Sequence, residues 1–238
     1  MKVKGRNAVR EALVSNTNIT KILASKSAKD RVFSEIIDLA NKKRVKVQFV
    51  DNKVLDNECD NNQGLIAFTS DFEYSTVEDI LAVAREKGKD NFILILDGVE
   101  DPHNFGSIIR VAECLGVDGI IIAKNRACPV TDTVAKVSAG AIEHIKIAKV
   151  TNINTEIERL KEKGVWVYAC ELGGDDLDSA NLTGNIAIVM GSEGKGVSRL
   201  TRELCDGVVT MQMYGKVNSL NVSVATGIVL YEAVRKRK

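Results

Sequence analysis

Three stretches hold the side chains best suited to chemistry. DPHNFGSIIR ends at Arg110 and contains Asn104. MGSEGKG, residues 190–196, combines three glycines with Glu193 and Lys195. SLNVSVAT, residues 219–226, carries Ser219, Asn221, Ser223 and Thr226. A guanidinium keeps its proton and offers a fork of N–H donors. Arg110 is therefore either a long charged arm at the mouth of a strand or an ordinary solvated arginine. Polar groups at the start of an otherwise apolar helix need partners, from a cap or from a ligand.

Each stretch follows an apolar run, so each reads as a strand ending in a loop. The loop at 190–196 lets a backbone approach closely. It matches neither G-x-x-x-x-G-K-[ST] nor G-x-G-x-x-G, because Arg199 stands where the last glycine of the second pattern belongs. Asn104 reads as the N-cap of a helix. On that helix Phe105, Ile108, Ile109, Ala112 and Leu115 share an apolar face. Arg110 falls opposite, above Gly106, and a bare glycine there leaves room for a ligand. Ser219, Ser223 and Thr226 share a helical face beside Asn221. Ser219 is the capping candidate.

These residues need a scaffold. Strands are predicted at 19–25, 45–50, 64–68, 92–98, 119–123, 144–150, 165–172, 186–191 and 207–213, all β-branched runs bounded by Gly, Asp or Asn. Helical periodicity fits 5–15, 28–43, 76–88, 104–116, 153–164 and 220–236. The alternation implies an α/β protein with parallel sheets covered by helices. The three loops then meet at the carboxyl edge of one sheet, where such sheets bind ligands. The polar stretch at 70–79 divides the chain into residues 1–70, a linker at 71–90, and a full α/β domain at 91–238.

The chain has 238 residues, 45% hydrophobic and 27% charged, with a net charge of +1. No global field attracts nucleic acid, so RNA contact would use local patches. Candidates are Lys2, Lys4, Arg6 and Arg10, then Lys42-Lys43-Arg44 with Lys46, then 235–238. Five cysteines without a C-x-x-C and only two histidines predict a reduced protein with no disulfide framework and no metal site. No signal core opens the chain, and no apolar run could span a bilayer. A cytoplasmic protein without a membrane partner is expected.

In this order, Asn104-Phe105-Gly106 through Arg110, Met190-Gly191-Ser192-Glu193-Gly194, and Ser219-Leu220-Asn221-Val222-Ser223 resemble the three signature motifs of the SpoU (TrmH-like) branch of the SPOUT methyltransferases. GRNAVREAL, 5–13, resembles the opening of that family's N-terminal RNA-binding domain, and SAGAIEHI, 138–145, fits as well. The resemblance spans essentially the whole chain. It points most closely to members that methylate a guanosine ribose of 23S rRNA.

The resemblance implies a C-terminal trefoil-knotted SPOUT domain with a parallel sheet. It adds a small N-terminal α/β domain like the ribosomal proteins that bind RNA loops. It implies a homodimer with sites near the dimer interface. S-adenosylmethionine would sit bent in the knot, held by backbone groups at Gly191, Met211 and Leu220, with Met190 and Gly194 in the same motif. MGSEGKG would thus cradle a sulfonium cofactor rather than a phosphate. The methyl would pass in line to a ribose 2′-hydroxyl of ribosomal RNA. The family proposal makes Arg110 a general base; its fixed proton suits an electrostatic role better. Asn104, Glu193, Ser219 and Asn221 would position the reacting groups. Gly5, Arg6, Asn7 and Gln63 are the expected RNA contacts. Many relatives carry His-Gln-Gly where this chain has Asn62-Gln63-Gly64. Two other readings are a tRNA 2′-O-methyltransferase of the same branch and a catalytically silent RNA-binding assembly protein. The intact Arg110, Glu193 and Ser219-Leu220-Asn221 set weighs against the silent protein. Failed phosphate fingerprints weigh against a nucleotide-dependent metabolic enzyme. Antibiotic-resistance rRNA methyltransferases share the architecture.

Overall fold

The structure is a computed structural model that describes residues 2–14, 19–69, 72–216 and 219–237. It divides into two compact units, Met1–Glu73 and Tyr74–Lys238.

The first unit contains β1 (Lys2–Lys4), α1 (Arg6–Val14), β2 (Ile19–Ser25), α2 (Arg31–Lys42), β3 (Val47–Val50), α3 (Asn52–Glu58) and β4 (Leu65–Thr69). Its strands form a four-stranded sheet in the order β1-β4-β2-β3. Asp30 starts α2 by accepting from the Phe33 N–H at 3.2 Å. Phe33, Ile36 and Ala40 then pack with Val9, Leu13 and Ile22 as one core. Leu23, Ile66 and Leu55 form a smaller cluster.

The second unit contains α4 (Val77–Glu86), β5 (Phe92–Asp97), α5 (Pro102–Cys114), β6 (Gly119–Ala123), α6 (Asp132–Val137), β7 (Lys146–Val150), α7 (Ile153–Glu162), β8 (Trp166–Asp176), β9 (Ile186–Gly191), α8 (Arg199–Leu204), β10 (Gly207–Thr210) and α9 (Val222–Lys236). Six parallel strands lie in the order β10-β8-β9-β5-β6-β7. The centre of β5 is buried along its length, as in a parallel sheet covered on both faces. Ile93 and Ile95 join a core with Ile80 of α4 and Ile157 and Leu160 of α7. Phe92, Leu94 and Leu96 alternate to the other face.

Two expectations change here. The segment at 71–90, expected as a linker, holds α4, a built part of the second unit. Val77 and Ile80 are buried, and a Cβ on Gly119 would lie 2.5 Å from Ile80 Cγ1. A capping box between Thr76 and Asp79 starts this helix. The expected strand at 207–213 stops at Thr210, because Met211 and Gln212 leave the sheet to line a cavity.

The basic tail, expected as a patch for RNA, is tied into the fold. Lys236 Nζ donates to the carbonyls of Leu177, Asp178 and Ala180 at 2.7–2.8 Å. Arg237 donates to the carbonyls of Gly184, Asp90 and Asn91. Its guanidinium also lies 5.0 Å from the Phe92 ring centroid. Lys238 lies outside the described residues.

Candidate active site

Three loops leave the carboxyl ends of β5, β9 and β10, and side chains from all three meet. Asp101, not Asn104, caps α5: its carboxylate accepts from the Asn104 N–H at 2.8 Å, with Pro102 in the first turn. Asn104 lies inside the helix, so its side chain is free to reach out. Likewise Asn221, not Ser219, caps α9, and its Oδ1 accepts from the N–H groups of Ser223 and Val224.

Glu193, in the glycine loop, joins these two helix starts. Its Oε1 accepts from Asn221 Nδ2 at 2.6 Å, from Asn104 Nδ2 at 3.3 Å and from the Val222 N–H at 3.2 Å. Asn221 Nδ2 also donates to Asn104 Oδ1 at 2.8 Å. A carboxylate at the N-terminus of α9 is favoured by the helix dipole. One oxygen thus ties all three motifs together.

The loop's own shape requires its glycines. Ser192 and Gly196 exchange two backbone hydrogen bonds, at 3.1 and 3.0 Å. A Cβ on Gly191 would lie 2.0 Å from the Gly196 carbonyl carbon. Gly194 and Gly196 adopt φ of +80° and +66°, the left-handed region that glycine tolerates best. Asp97 Oδ2 accepts from the Ser198 N–H at 2.8 Å and holds the loop's far end to β5.

A cavity of about 460 Å³ lies between the β5 and β9 loops; its lining includes Glu100, Asn104, Arg126, Glu193, Lys195 and Ser198. That volume suits a small ligand or one nucleotide. Cys128 donates its N–H to the Val99 carbonyl at 2.9 Å and locks the Arg126 loop against the Glu100 loop. Glu100, Arg126 and Lys195 were not foreseen. Only Lys195 had a signal, its place within MGSEGKG. A second cavity, about 800 Å³, is lined by Met211, Gln212, Tyr214, Val224, Ile228 and Tyr231 among others.

Other expected residues do not gather here. Arg110 is exposed on α5, and its side chain makes no ion pair or hydrogen bond among the described residues. It lies about 9 Å along the helix axis from Asn104. Gly106 does not open space beside it: a Cβ there would lie 2.7 Å from Val137 Cβ, so Gly106 seats α6 against α5. Thr226 is buried and donates to the Val222 carbonyl at 2.6 Å, while Ser223 Oγ donates to Asn221 Oδ1. Both hydroxyl protons are thereby spent at the helix start. Ser219 and Leu220 are exposed before the cap, and Met190 and Gly191 are buried in β9. The five expected cofactor contacts therefore do not line one cavity.

In the first unit, Gly5, Arg6 and Gln63 do meet. Gln63 Oε1 accepts from the Arg6 N–H and the Gln63 carbonyl from Arg6 Nε, both at 3.2 Å. Arg6 also pairs with Asp30 at 2.7 Å. This clasp closes the 60–64 turn, and Asn7 is exposed beside it on α1.

Two half-buried thiols are poor nucleophiles. Burial, with a contribution from Glu171, pushes Cys170 up to about 12; burial and Asp206 do the same to Cys205. A thiol acts as its thiolate, which neither forms near neutral pH. Among the described residues, no group of three or more His, Cys, Asp or Glu could hold a metal ion.

The fold and site define an open parallel α/β protein with a ligand cleft at the carboxyl edge of its sheet. Residues 91–231 match the SpoU rRNA Methylase family and residues 2–75 match the RNA 2'-O ribose methyltransferase substrate binding domain. The chain belongs to the SpoU methylase family. It is 44% identical over 238 residues to YacO of Bacillus subtilis (strain 168), whose name places it in the TrmH family of tRNA/rRNA methyltransferases; the match covers 99% of this chain and 95% of that one. A similarly named protein of Staphylococcus saprophyticus is 44% identical over 237 residues, covering 99% and 95%. The AdoMet-bound rRNA methyltransferase of Sinorhizobium meliloti superposes with a TM-score of 0.73 at 25% identity, covering 98% of this chain and 86% of that one. AviRb of Streptomyces viridochromogenes, in complex with AdoMet, gives 0.71 at 22% identity, covering 99% and 90%.

Proposed function

We propose that this protein methylates the 2′-hydroxyl of a guanosine ribose in 23S rRNA, using S-adenosylmethionine, as a homodimer in the cytoplasm. The hydrogen-bonded cluster of Asn104, Glu193 and Asn221 carries this reading. It joins the three signature motifs in one place, beside a cavity of nucleotide size.

The residues fit the cofactor. The loop carries no phosphate fingerprint and presents bare backbone at Gly194, where an added Cβ would meet nothing within 4 Å, as a bulky sulfonium nucleoside needs. By the family resemblance, backbone groups at Met211 and Leu220 would add to the hold. Bound there, S-adenosylmethionine supplies an electrophilic methyl group. The chain's own residues do the rest. Glu193 Oε1 accepts three donors, which gives Glu193 a positioning role. Asn104 and Asn221 hold the two helix starts around the acceptor. Arg110, without an ion pair among the described residues and permanently charged, stabilises the negative charge that develops on the ribose oxygen. Arg126 and Lys195 are the cations of a cavity that Asp97, Glu100, Asp101 and Glu193 also line, and they suit RNA phosphates.

Two structural features support the rest. β8 lies between β9 and β10, so the chain leaving β10 must cross β8 before α9 packs against α5 and β9. This path favours the trefoil knot. Val224, Ile228 and Tyr231 of α9 are 51%, 45% and 59% exposed at helical spacing, an apolar stripe suited to a second copy of the chain. The first unit, closed by Arg6 and Gln63, would select the RNA by shape.

The test incubates purified protein with labelled S-adenosylmethionine and separate pools of unmodified 23S rRNA, 16S rRNA and tRNA. Label at one alkali-resistant guanosine of 23S rRNA is expected. Label in tRNA alone would replace the rRNA assignment. No label in any pool, despite cofactor binding, would favour a silent RNA-binding protein.

A further inference from the structure

β8 does not run straight past β10. Ala169 faces Val208, but the next residue of β10, Val209, faces Asp175. Residues 170–174 therefore bulge out of the pairing. Thr210 Oγ1 closes the bulge: it donates to the Glu171 carbonyl at 2.5 Å and accepts from the Gly174 N–H at 2.7 Å. Bulges beside sites re-aim side chains, and this one aims Glu171 at the glycine loop. Glu171 Oε1 lies where a Cβ on Gly196 would come within 2.7 Å of it. Glycine at 196 thus makes room for the carboxylate. Glu171 follows the Cys170–Met190 pair, so its backbone lies beside Gly191. Met211 follows the residue that pins it.

Glu171 Oε2 is buried and accepts no hydrogen bond among the described residues. Arg202 Nε, 3.6 Å away, balances its charge but stands beyond hydrogen-bond reach. A buried acceptor left without a donor is costly. Such a group calls for a partner that arrives with a ligand.

We propose that Glu171 binds the cofactor, its carboxylate accepting from the ribose hydroxyls of S-adenosylmethionine. This rests on reading the glycine loop as the cofactor's cradle. Paired ribose hydroxyls and a carboxylate are complementary, the chemistry by which dinucleotide folds hold a ribose. Arg202 balances the charge at Oε2 without taking up its hydrogen-bonding capacity.

The test is calorimetric titration of the full-length protein with three probes: S-adenosylmethionine, S-adenosylhomocysteine and 5′-methylthioadenosine. The last keeps the adenosyl group but lacks the amino acid. Glu171→Ala is expected to weaken all three by a similar factor, about tenfold or more. Arg202→Ala, which breaks only the ion pair, is expected to stay within about threefold of wild type. Thermal melts without ligand confirm that both variants fold. Unchanged affinity in Glu171→Ala would overturn the proposal. So would a loss limited to the two probes that carry the amino acid, which would move the contact to the α-ammonium. An equal loss in Arg202→Ala would overturn it too, by showing that the ion pair is what matters. Failure of the wild type to bind any probe would instead remove the cofactor reading beneath it.

Discussion

Replacing Arg110 by alanine lowers kcat for RNA methyl transfer by about a hundredfold to a thousandfold, the usual loss for a preorganised charge-stabilising group. The same change leaves stability within about 0.5 kcal/mol of wild type, because Arg110 is exposed and its side chain makes no ion pair or hydrogen bond among the described residues. Its neighbours Phe105, Ile108, Ile109 and Ala112 hold the helix without it. Arg110→Lys keeps the charge but loses the planar fork, so it recovers only part of the activity. Single-turnover rates with saturating S-adenosylmethionine, read beside thermal melts, check both halves. Normal turnover by the alanine variant would remove Arg110 from the mechanism.

Gly191→Ala is expected to have the largest structural effect. The added methyl would stand 2.0 Å from the Gly196 carbonyl carbon and 2.2 Å from the Val197 nitrogen. Both are backbone atoms of the same loop, with no flexible side chain to give way. The loop must open, breaking the paired Ser192–Gly196 hydrogen bonds and displacing Glu193 from Asn104 and Asn221. A cost of about 3 kcal/mol or more follows, and a chain of this size should melt about 6–12 °C lower. Cofactor affinity should fall with it. A variant that melts and binds S-adenosylmethionine like wild type would show that the loop tolerates the methyl, contradicting the close approach.

Much of the scaffold was legible because parallel strands announce themselves. FILILD, GIIIA and IAIVMG are apolar, β-branched and bounded by turn residues, and each forms a strand in the expected place. The longer helices follow from their periodicity. The short elements escaped: α3, α6 and α8 span only 6–7 residues, too few to establish a period. The start of α5 was misplaced although the signal was present. Asp101-Pro102 is a cap followed by the residue best suited to the first turn, whereas Asn104 drew attention as a capping residue type.

The site divides the same way. Residue types and motif order named Asn104, Glu193 and Asn221, and the fold brings them within hydrogen-bond distance. Sequence could not say that one oxygen of Glu193 joins all three loops. Nor does it show that the hydroxyl protons of Ser223 and Thr226 are spent within the helix start. Arg126 and the bulge at Glu171 depend on register and long-range packing. A one-dimensional pattern does not carry them. The basic tail shows the reverse error: Lys236 and Arg237 read as a patch because a sequence does not reveal that carbonyls surround them.

The most direct measurement identifies the modified nucleoside itself. Unmodified 23S rRNA is treated with the protein and S-adenosylmethionine, digested to nucleosides and analysed by mass spectrometry. The expected product is 2′-O-methylguanosine, with the added mass retained on the ribose fragment. Methyl found on a base fragment instead would contradict ribose transfer, and with it the roles given to Asn104, Arg110, Glu193 and Asn221.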